Sequence, residues 1–154
     1  MTKQPLPDHD HVLRHVNARS FDGRVLGEAF VSTPRNEDDG LSVNWIEIAG
    51  GATLEHKIEY IRSKRRREWK KSHRLAKLNV GRIRTTVPIL ARQYGLMVTA
   101  IAIHDPLDED LAKNKPSDPT HSLIMGLSNG GAAVEEAVRD ILANCVEEHF
   151  PALL

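Results

Sequence analysis

The sequence predicts an α+β fold, a single domain of residues 1–154 with about five strands and two or three helices packed on the sheet. Three observations lead to this prediction. A chain of 154 residues fits one core, and 40 % hydrophobic with 27 % charged residues is ordinary globular usage. Segments of strand and helix periodicity follow one another irregularly, whereas a doubly wound sheet requires regular alternation.

A half-buried strand is predicted in the block GLSVNWIE, which begins at Gly40. Apolar side chains alternate there with the polar Ser42 and Asn44, as expected for a strand with one buried face. Side chains two positions apart share a face of a strand. Ser42 and Asn44 should therefore point together, away from the face that carries Trp45.

Four further strands are predicted from short apolar runs bounded by turn-forming residues. They cover residues 25–32, 75–80, 96–103 and 120–127. Helices are predicted where apolar residues recur at helical spacing. They cover Thr53 to about Arg74, residues 83–94 with a start near Val87 because of Pro88, and residues 132–146.

The N-terminal segment leaves two structures open. Residues 1–7 contain two prolines and little to bury, which predicts a loose lead-in. Residues 8–16, DHDHVLRHV, form either a helical turn capped by an aspartate or a strand. The helix would place His11 beside Arg14, and the strand would place His11 and His15 on one face.

Charge is balanced overall but uneven along the chain. The 21 basic and 21 acidic residues cancel, which argues against a protein that coats nucleic acid over its whole surface. Between Leu54 and Arg74, however, nine Lys or Arg face three Glu. The predicted basic helix fits the phosphates of RNA or DNA, an acidic protein partner, or a solvated face. The residues assigned to substrate or partner binding are Arg35, Arg65, Arg66, Arg67, Trp69, Lys70 and Lys71.

Cysteine content and hydropathy indicate the compartment. Cys145 is the single cysteine, so neither an intrachain disulfide nor a cysteine-based zinc site can form. The apolar stripe around it in the last helix predicts a buried, inert thiol. The N-terminus has no apolar leader, and the longest apolar run is far shorter than the roughly 20 residues of a membrane span. We expect a cytoplasmic protein without a membrane partner.

One set of polar residues predicts catalysis. Two histidines can act as base and acid at a phosphodiester or acyl centre, an arginine can hold an anionic group, and Ser or Asn can donate to an oxyanion. Such a set suits a small ribonuclease or a nucleotide-processing enzyme. The candidates are His11, Arg14, Ser42, Asn44, His104 and His121.

Two alternatives stand beside this hypothesis. His104 and His121 each lie next to an Asp-Pro step, so both could simply bond to neighbouring turns. His9, His11 and His15 could instead contribute to a metal site, although no HExxH motif accompanies them. We expect neither a metal nor another cofactor.

Five blocks carry a resemblance: DHVLR from Asp10, GLSVNW from Gly40, LNVG from Leu78, HDP from His104 and PTHS from Pro119. Together they resemble a family of small bacterial hypothetical proteins, over most of residues 8–127. The resemblance implies a stand-alone bacterial protein found near mobile or defence-related genes. It implies no catalytic assignment.

Two functions follow as expectations. The first is a factor that acts on RNA or a nucleotide, with antiviral defence as its setting. The second is a non-catalytic component that binds a protein partner from the same operon through its basic helix.

Overall fold

The computed structural model of the chain describes residues 4–30, 40–127 and 132–154. These residues form one six-stranded antiparallel sheet and three α-helices, so the predicted α+β class is confirmed, with six strands rather than about five. The strands are β1 (His11–Val16), β2 (Leu41–Trp45), β3 (Arg74–Asn79), β4 (Ile101–His104), β5 (His121–Met125) and β6 (Val146–Pro151). The helices are α1 (Leu54–Ser63), α2 (Val80–Arg92) and α3 (Ala132–Asn144).

The centre of the sheet is formed by β1 and β2, in the strand order β4-β5-β2-β1-β3-β6. The segment that left helix and strand open is thus the strand β1. It pairs with β3 along its whole length, from His11 to Val16. With β2 it shares only two residue pairs, which end at Leu13 opposite Asn44. The sheet therefore opens between its two central strands beyond Leu13.

Two apolar cores hold the layers together. On one face, α2 and α3 pack over the sheet and bury Leu78, Ile83 and Leu142 completely. On the other face, α1 covers a smaller core that contains Leu13 and Ile61. Alternating side chains of one strand reach both cores because successive residues point to opposite faces.

The predicted length of the basic helix is wrong, although its start is confirmed. The first helix begins after Thr53, whose hydroxyl accepts a hydrogen bond from the backbone N–H of His56 at 3.2 Å, but it ends at Ser63 instead of near Arg74. The four cations at 64–67 would lie within a turn of one another and of Arg62 in a longer helix, where like charges destabilise. The basic run is instead an irregular segment between α1 and β3.

Two predicted strands are replaced or shortened. The described part of residues 25–32 contains the 3₁₀ turn Gly27–Phe30 rather than a strand. In residues 96–103 only the last part pairs as β4. The backbone of Ala100 has φ +54°, and a left-handed residue interrupts the extended conformation that a ladder needs.

The second helix begins earlier than predicted, at Val80 instead of near Val87. The side chain of Asn79 accepts a hydrogen bond from the backbone N–H of Arg82 at 2.8 Å and so caps the helix. Pro88 lies inside the helix. Packing of one α2 face in the larger core outweighs the local preference against an interior proline.

The outer strands gain pairing that the sequence did not predict. At one edge β6 pairs with β3. At the other edge the backbone N–H of Leu6 donates to the carbonyl of Ala102 at 3.0 Å, and that of His104 donates to Gln4 at 2.8 Å. Leu6 is also buried. The lead-in is therefore not loose from Gln4 onward, because it covers the edge strand β4.

The three helices are short, with 10, 13 and 13 residues. A transmembrane helix needs about 20 predominantly apolar residues. None of the helices in the described ranges is long and apolar enough to cross a membrane.

Leu78→Ala tests the larger core. Leu78 is fully buried in the sheet, so its truncation should lower the free energy of unfolding by about 2–5 kcal/mol, measured by urea denaturation. Leu111→Ala removes the same atoms from a side chain that is 83 % exposed and should change stability by less than about 0.5 kcal/mol. Equal effects of the two changes would contradict the described core.

Candidate functional site

The opening in the sheet is bridged by the side chain of Arg14. Its Nη1 donates to the backbone carbonyl of Ser42 on β2 at 2.8 Å. Its Nε donates to the carbonyl of Ala29 in the 3₁₀ turn, also at 2.8 Å. A guanidinium group thus joins β1 to β2 where backbone pairing between the two strands has ended.

A cleft of about 980 Å³ lies at this opening. Its walls come from β1, β2 and β5, from the segment after α1, and from the loop between β4 and β5. Basic side chains outnumber acidic ones in the lining. The basic residues are Arg14, Arg19, Arg65, Arg66, Arg67, Lys113 and Lys115, and the acidic residues are Glu28, Asp110 and Asp118.

The guanidinium groups of Arg14 and Arg67 lie near enough in the cleft for their charges to interact. Burial, followed by the charge of Arg67, lowers the pKa of Arg14 to about 10. Arg14 still carries its charge at neutral pH.

His15 adds a neutral aromatic surface beside these cations. Its ring stacks on Trp69, with ring centroids 5.1 Å apart and planes at 8°. Its Nε2 lies 2.8 Å from Nδ1 of His73. Burial is the main cause that lowers the pKa of His15 to about 4, and the charges of His73, Arg14 and Arg67 add to it. The ring is therefore neutral at pH 7.

The predicted shared face of Ser42 and Asn44 is confirmed. Both residues line the cleft, whereas Trp45 is buried in the larger core on the opposite side of the sheet. On the neighbouring strand β5, His121 pairs directly with Asn44. Directly opposed residues of antiparallel strands project to the same face, so His121 joins Ser42 and Asn44 there.

Asn44 holds the rim of the cleft rather than presenting free donors to it. Its Nδ2 donates to the carboxylate of Asp118 and to the hydroxyl of Thr120, both at 2.9 Å. The Thr120 hydroxyl in turn donates to Asp118 at 2.9 Å. This closed triangle satisfies the buried carboxylate and anchors the loop that precedes β5. The oxyanion donor role predicted for Asn44 is therefore not available in this arrangement.

Ser42 and His121 are within hydrogen-bonding distance of each other in the cleft. The Nε2 of His121 lies 3.2 Å from Oγ of Ser42. The Nδ1 of His121 lies 2.8 Å from the backbone carbonyl of Asp105 and 3.4 Å from its carboxylate. A carbonyl oxygen can only accept, so Nδ1 carries the proton and Nε2 of the neutral ring is left as the acceptor toward Ser42.

His11 and His104 lie outside the cleft lining. His11 is held by Glu47, with Nδ1 2.8 Å from Oε2. His104 pairs with Ser122 on β5, which places it on the opposite face from His121, and its Nε2 lies 2.7 Å from the carbonyl of Pro119. The prediction that these histidines converge with His121 is wrong. His104 faces the opposite side of the sheet, because its partner Ser122 is adjacent to His121 in β5. His11 shares the face of Leu13 but is the first residue of β1, at the end of the strand away from the opening. His104 follows the turn-bonding alternative.

The predicted basic residues divide into two groups. Arg65, Arg66 and Arg67 line the cleft, together with the buried Trp69. Lys70 and Lys71 are exposed and do not belong to its lining. Arg66 also has a structural role, since its Nη1 donates to the carbonyls of Asp108 at 2.7 Å and Pro116 at 2.6 Å in the loop between β4 and β5. Arg35 lies outside the described residues.

Sequence reasoning left several cleft residues out of the site. Arg19 lies in the 3₁₀ turn Ala18–Ser20, and Lys113 and Lys115 lie in the loop between β4 and β5. Their distance from β2 along the chain hides their proximity in space. In the sequence, Asp105 and Asp118 indicated only Asp-Pro turns. The histidines next to these two turns were the feature that pointed to the site, because Nδ1 of His121 bonds to the backbone carbonyl of Asp105.

Neither a metal site nor similarity to known proteins assigns a function to the cleft. Among the described residues, no group of three His, Cys, Asp or Glu side chains could hold a metal ion. Comparison with protein-family models, curated proteins and solved structures gave no match. The resemblance to a family of bacterial hypothetical proteins stays a prediction.

Asn44→Ala tests the triangle at the rim. Loss of the amide removes one donor from the buried Asp118 carboxylate and should lower the free energy of unfolding by about 1–3 kcal/mol, measured by urea denaturation. Asn17→Ala is the matched control, because Asn17 is exposed and its side chain makes no capping bond. A variant as stable as the Asn17→Ala control would contradict this anchoring role.

His15→Gln tests the neutral histidine. The folded protein holds the pKa of His15 at about 4 against 6.5 for an ordinary histidine, so the unfolded chain binds the proton more readily. The stabilising contribution is complete above pH 6.5 and is lost as the pH falls toward 4. Denaturation at pH 7 and pH 5 should show a smaller loss of stability on acidification for the variant than for the wild type. Equal losses would show that His15 is not held neutral.

Proposed function

We propose that the cleft binds the phosphate groups of RNA or of a nucleotide and that Ser42 and His121 act on the bound phosphate. The observation that carries the proposal is the position of a Ser-His hydrogen bond within a wall of seven basic side chains. Arginine suits this task because its planar guanidinium group can bind a phosphate through two hydrogen bonds.

The electrostatics of the cleft favour an anionic substrate over a neutral one. The lining contains seven Lys or Arg side chains and three carboxylates, Glu28, Asp110 and Asp118, which leaves an excess of four positive charges. Phosphate oxygens would provide both countercharge and acceptors for these basic groups.

The size of the cleft supports a substrate larger than a single phosphate ion. A volume of about 980 Å³ lies at the upper end of the range for small-molecule sites, roughly 300–1,000 Å³. A nucleotide or a few nucleotides of RNA match this volume and the basic lining.

The partner-binding alternative loses the helix on which it depended, since the basic run lies after the end of α1. Outside the cleft lining, the exposed cations of this run that had been assigned to binding are Lys70 and Lys71. The expected bacterial origin, cytoplasmic location and association with antiviral defence stay predictions, as does a protein partner from the same operon.

A pair of charge reversals tests the proposal. Arg65→Glu with Arg67→Glu places two carboxylates in the cleft, so the Kd for a short fluorescent single-stranded RNA should rise at least about tenfold in fluorescence anisotropy. A nucleoside triphosphate measured by calorimetry provides the second arm. Binding limited to the triphosphate would identify a nucleotide as the ligand.

The matched control is Lys70→Glu with Lys71→Glu. It changes the net charge equally but alters exposed residues outside the cleft, so the Kd should change by only about twofold. Equal weakening by both double variants would show diffuse surface attraction and would overturn the proposal. Failure of the wild type to bind either ligand at low salt would overturn it as well.

A further inference from the structure

We infer that Ser42 is a nucleophile which His121 activates, so that the protein transfers a phosphoryl or nucleotidyl group through a covalent serine intermediate. This inference rests on the proposed function, because the cleft must first hold a phosphate. It goes further by assigning a reaction type and the atom at which the new bond forms.

The hydrogen-bond directions are the first argument. The backbone carbonyl of Asp105 determines that Nδ1 of His121 carries the ring proton. The free Nε2 then faces the hydroxyl of Ser42 at 3.2 Å, a distance suited to accepting its proton. Hydroxyl, imidazole and a third group that orients the ring are the arrangement by which proteins activate a serine.

Rigid support for both reacting groups is the second argument. Ser42 and His121 lie on adjacent strands, and backbone pairing between β2 and β5 fixes their separation. The carbonyl of Ser42 is also held by Arg14 at 2.8 Å. A nucleophile on a strand, with its backbone held from both sides, has little freedom to move away from its base.

The chemistry balances without a further reactant. The Oγ–P bond forms while the bond from phosphorus to its leaving oxygen breaks, and the Ser42 proton passes to Nε2 of His121. The imidazolium then gives that proton to the leaving oxygen. Water attacks phosphorus in a second step with His121 again as base, which releases the phosphate product and restores Ser42. Basic side chains of the lining, such as Arg65 and Arg67, would stabilise the charge on the phosphoryl oxygens.

A fluorophosphonate tests the nucleophile with a reagent that is itself uncharged. The reagent phosphonylates an activated serine with loss of fluoride, and intact-mass and peptide mass spectrometry report the adduct and its position. We expect one adduct on Ser42 of the wild type. Ser42→Ala should abolish it, and His121→Gln should slow it by about 10²-fold or more, because the general base is removed.

Ser72→Ala is the control, since Ser72 is exposed and lies outside the cleft, and its labelling should equal that of the wild type. Circular dichroism would verify that each variant is folded. Peptide mapping of the wild type remains decisive even if a variant does not fold. Absence of an adduct on Ser42, or an unchanged labelling rate in folded His121→Gln, would overturn the inference.

The two proposals fail separately. Binding of RNA or a nucleotide and labelling of Ser42 are measured separately on the wild-type protein. Binding without labelling would leave a phosphate-binding protein and remove the nucleophile. Labelling without binding of either ligand would retain the activated serine and remove the proposed substrate class.

Discussion

The hydrogen bond from the Arg14 guanidinium group to the Ser42 carbonyl joins the two halves of the sheet where backbone pairing stops. One half consists of β1, β3 and β6, and the other of β2, β5 and β4. They share two residue pairs, and beyond these pairs a side chain maintains the separation. The cleft lies where the halves diverge, and its lining is positive because seven Lys or Arg side chains outnumber three carboxylates.

Residues of the cleft divide into those that hold its shape and the pair proposed to react. Asn44, Asp118 and Thr120 satisfy one another's hydrogen bonds, and Arg66 ties the loop between β4 and β5 to the segment after α1. Ser42 and His121 instead combine a contact at 3.2 Å with a defined proton position on the ring. Satisfied polar networks rigidify a site, and this rigidity keeps the Ser42 hydroxyl next to the His121 imidazole.

The sequence predicted the fold class, the central strand and the shared face of Ser42 and Asn44, because alternation of apolar and polar residues is a local property. It failed where long-range contacts override local periodicity. The basic helix stops at Ser63, and Trp69 turns inward to stack on His15. The edge strand β6 has no strong alternation of its own and forms because β3 offers an unpaired edge.

Residue types and their strand positions came from the sequence by itself: a serine and an asparagine on one face, a histidine after an Asp-Pro step, and a cluster of arginines. Tertiary structure alone decided which of them meet. It united Ser42 with His121 across 79 positions and separated His104 from both, since neighbouring residues of a strand face opposite sides. Spacing along the chain determines a side chain's face, but only strand order and register determine its neighbours across the sheet.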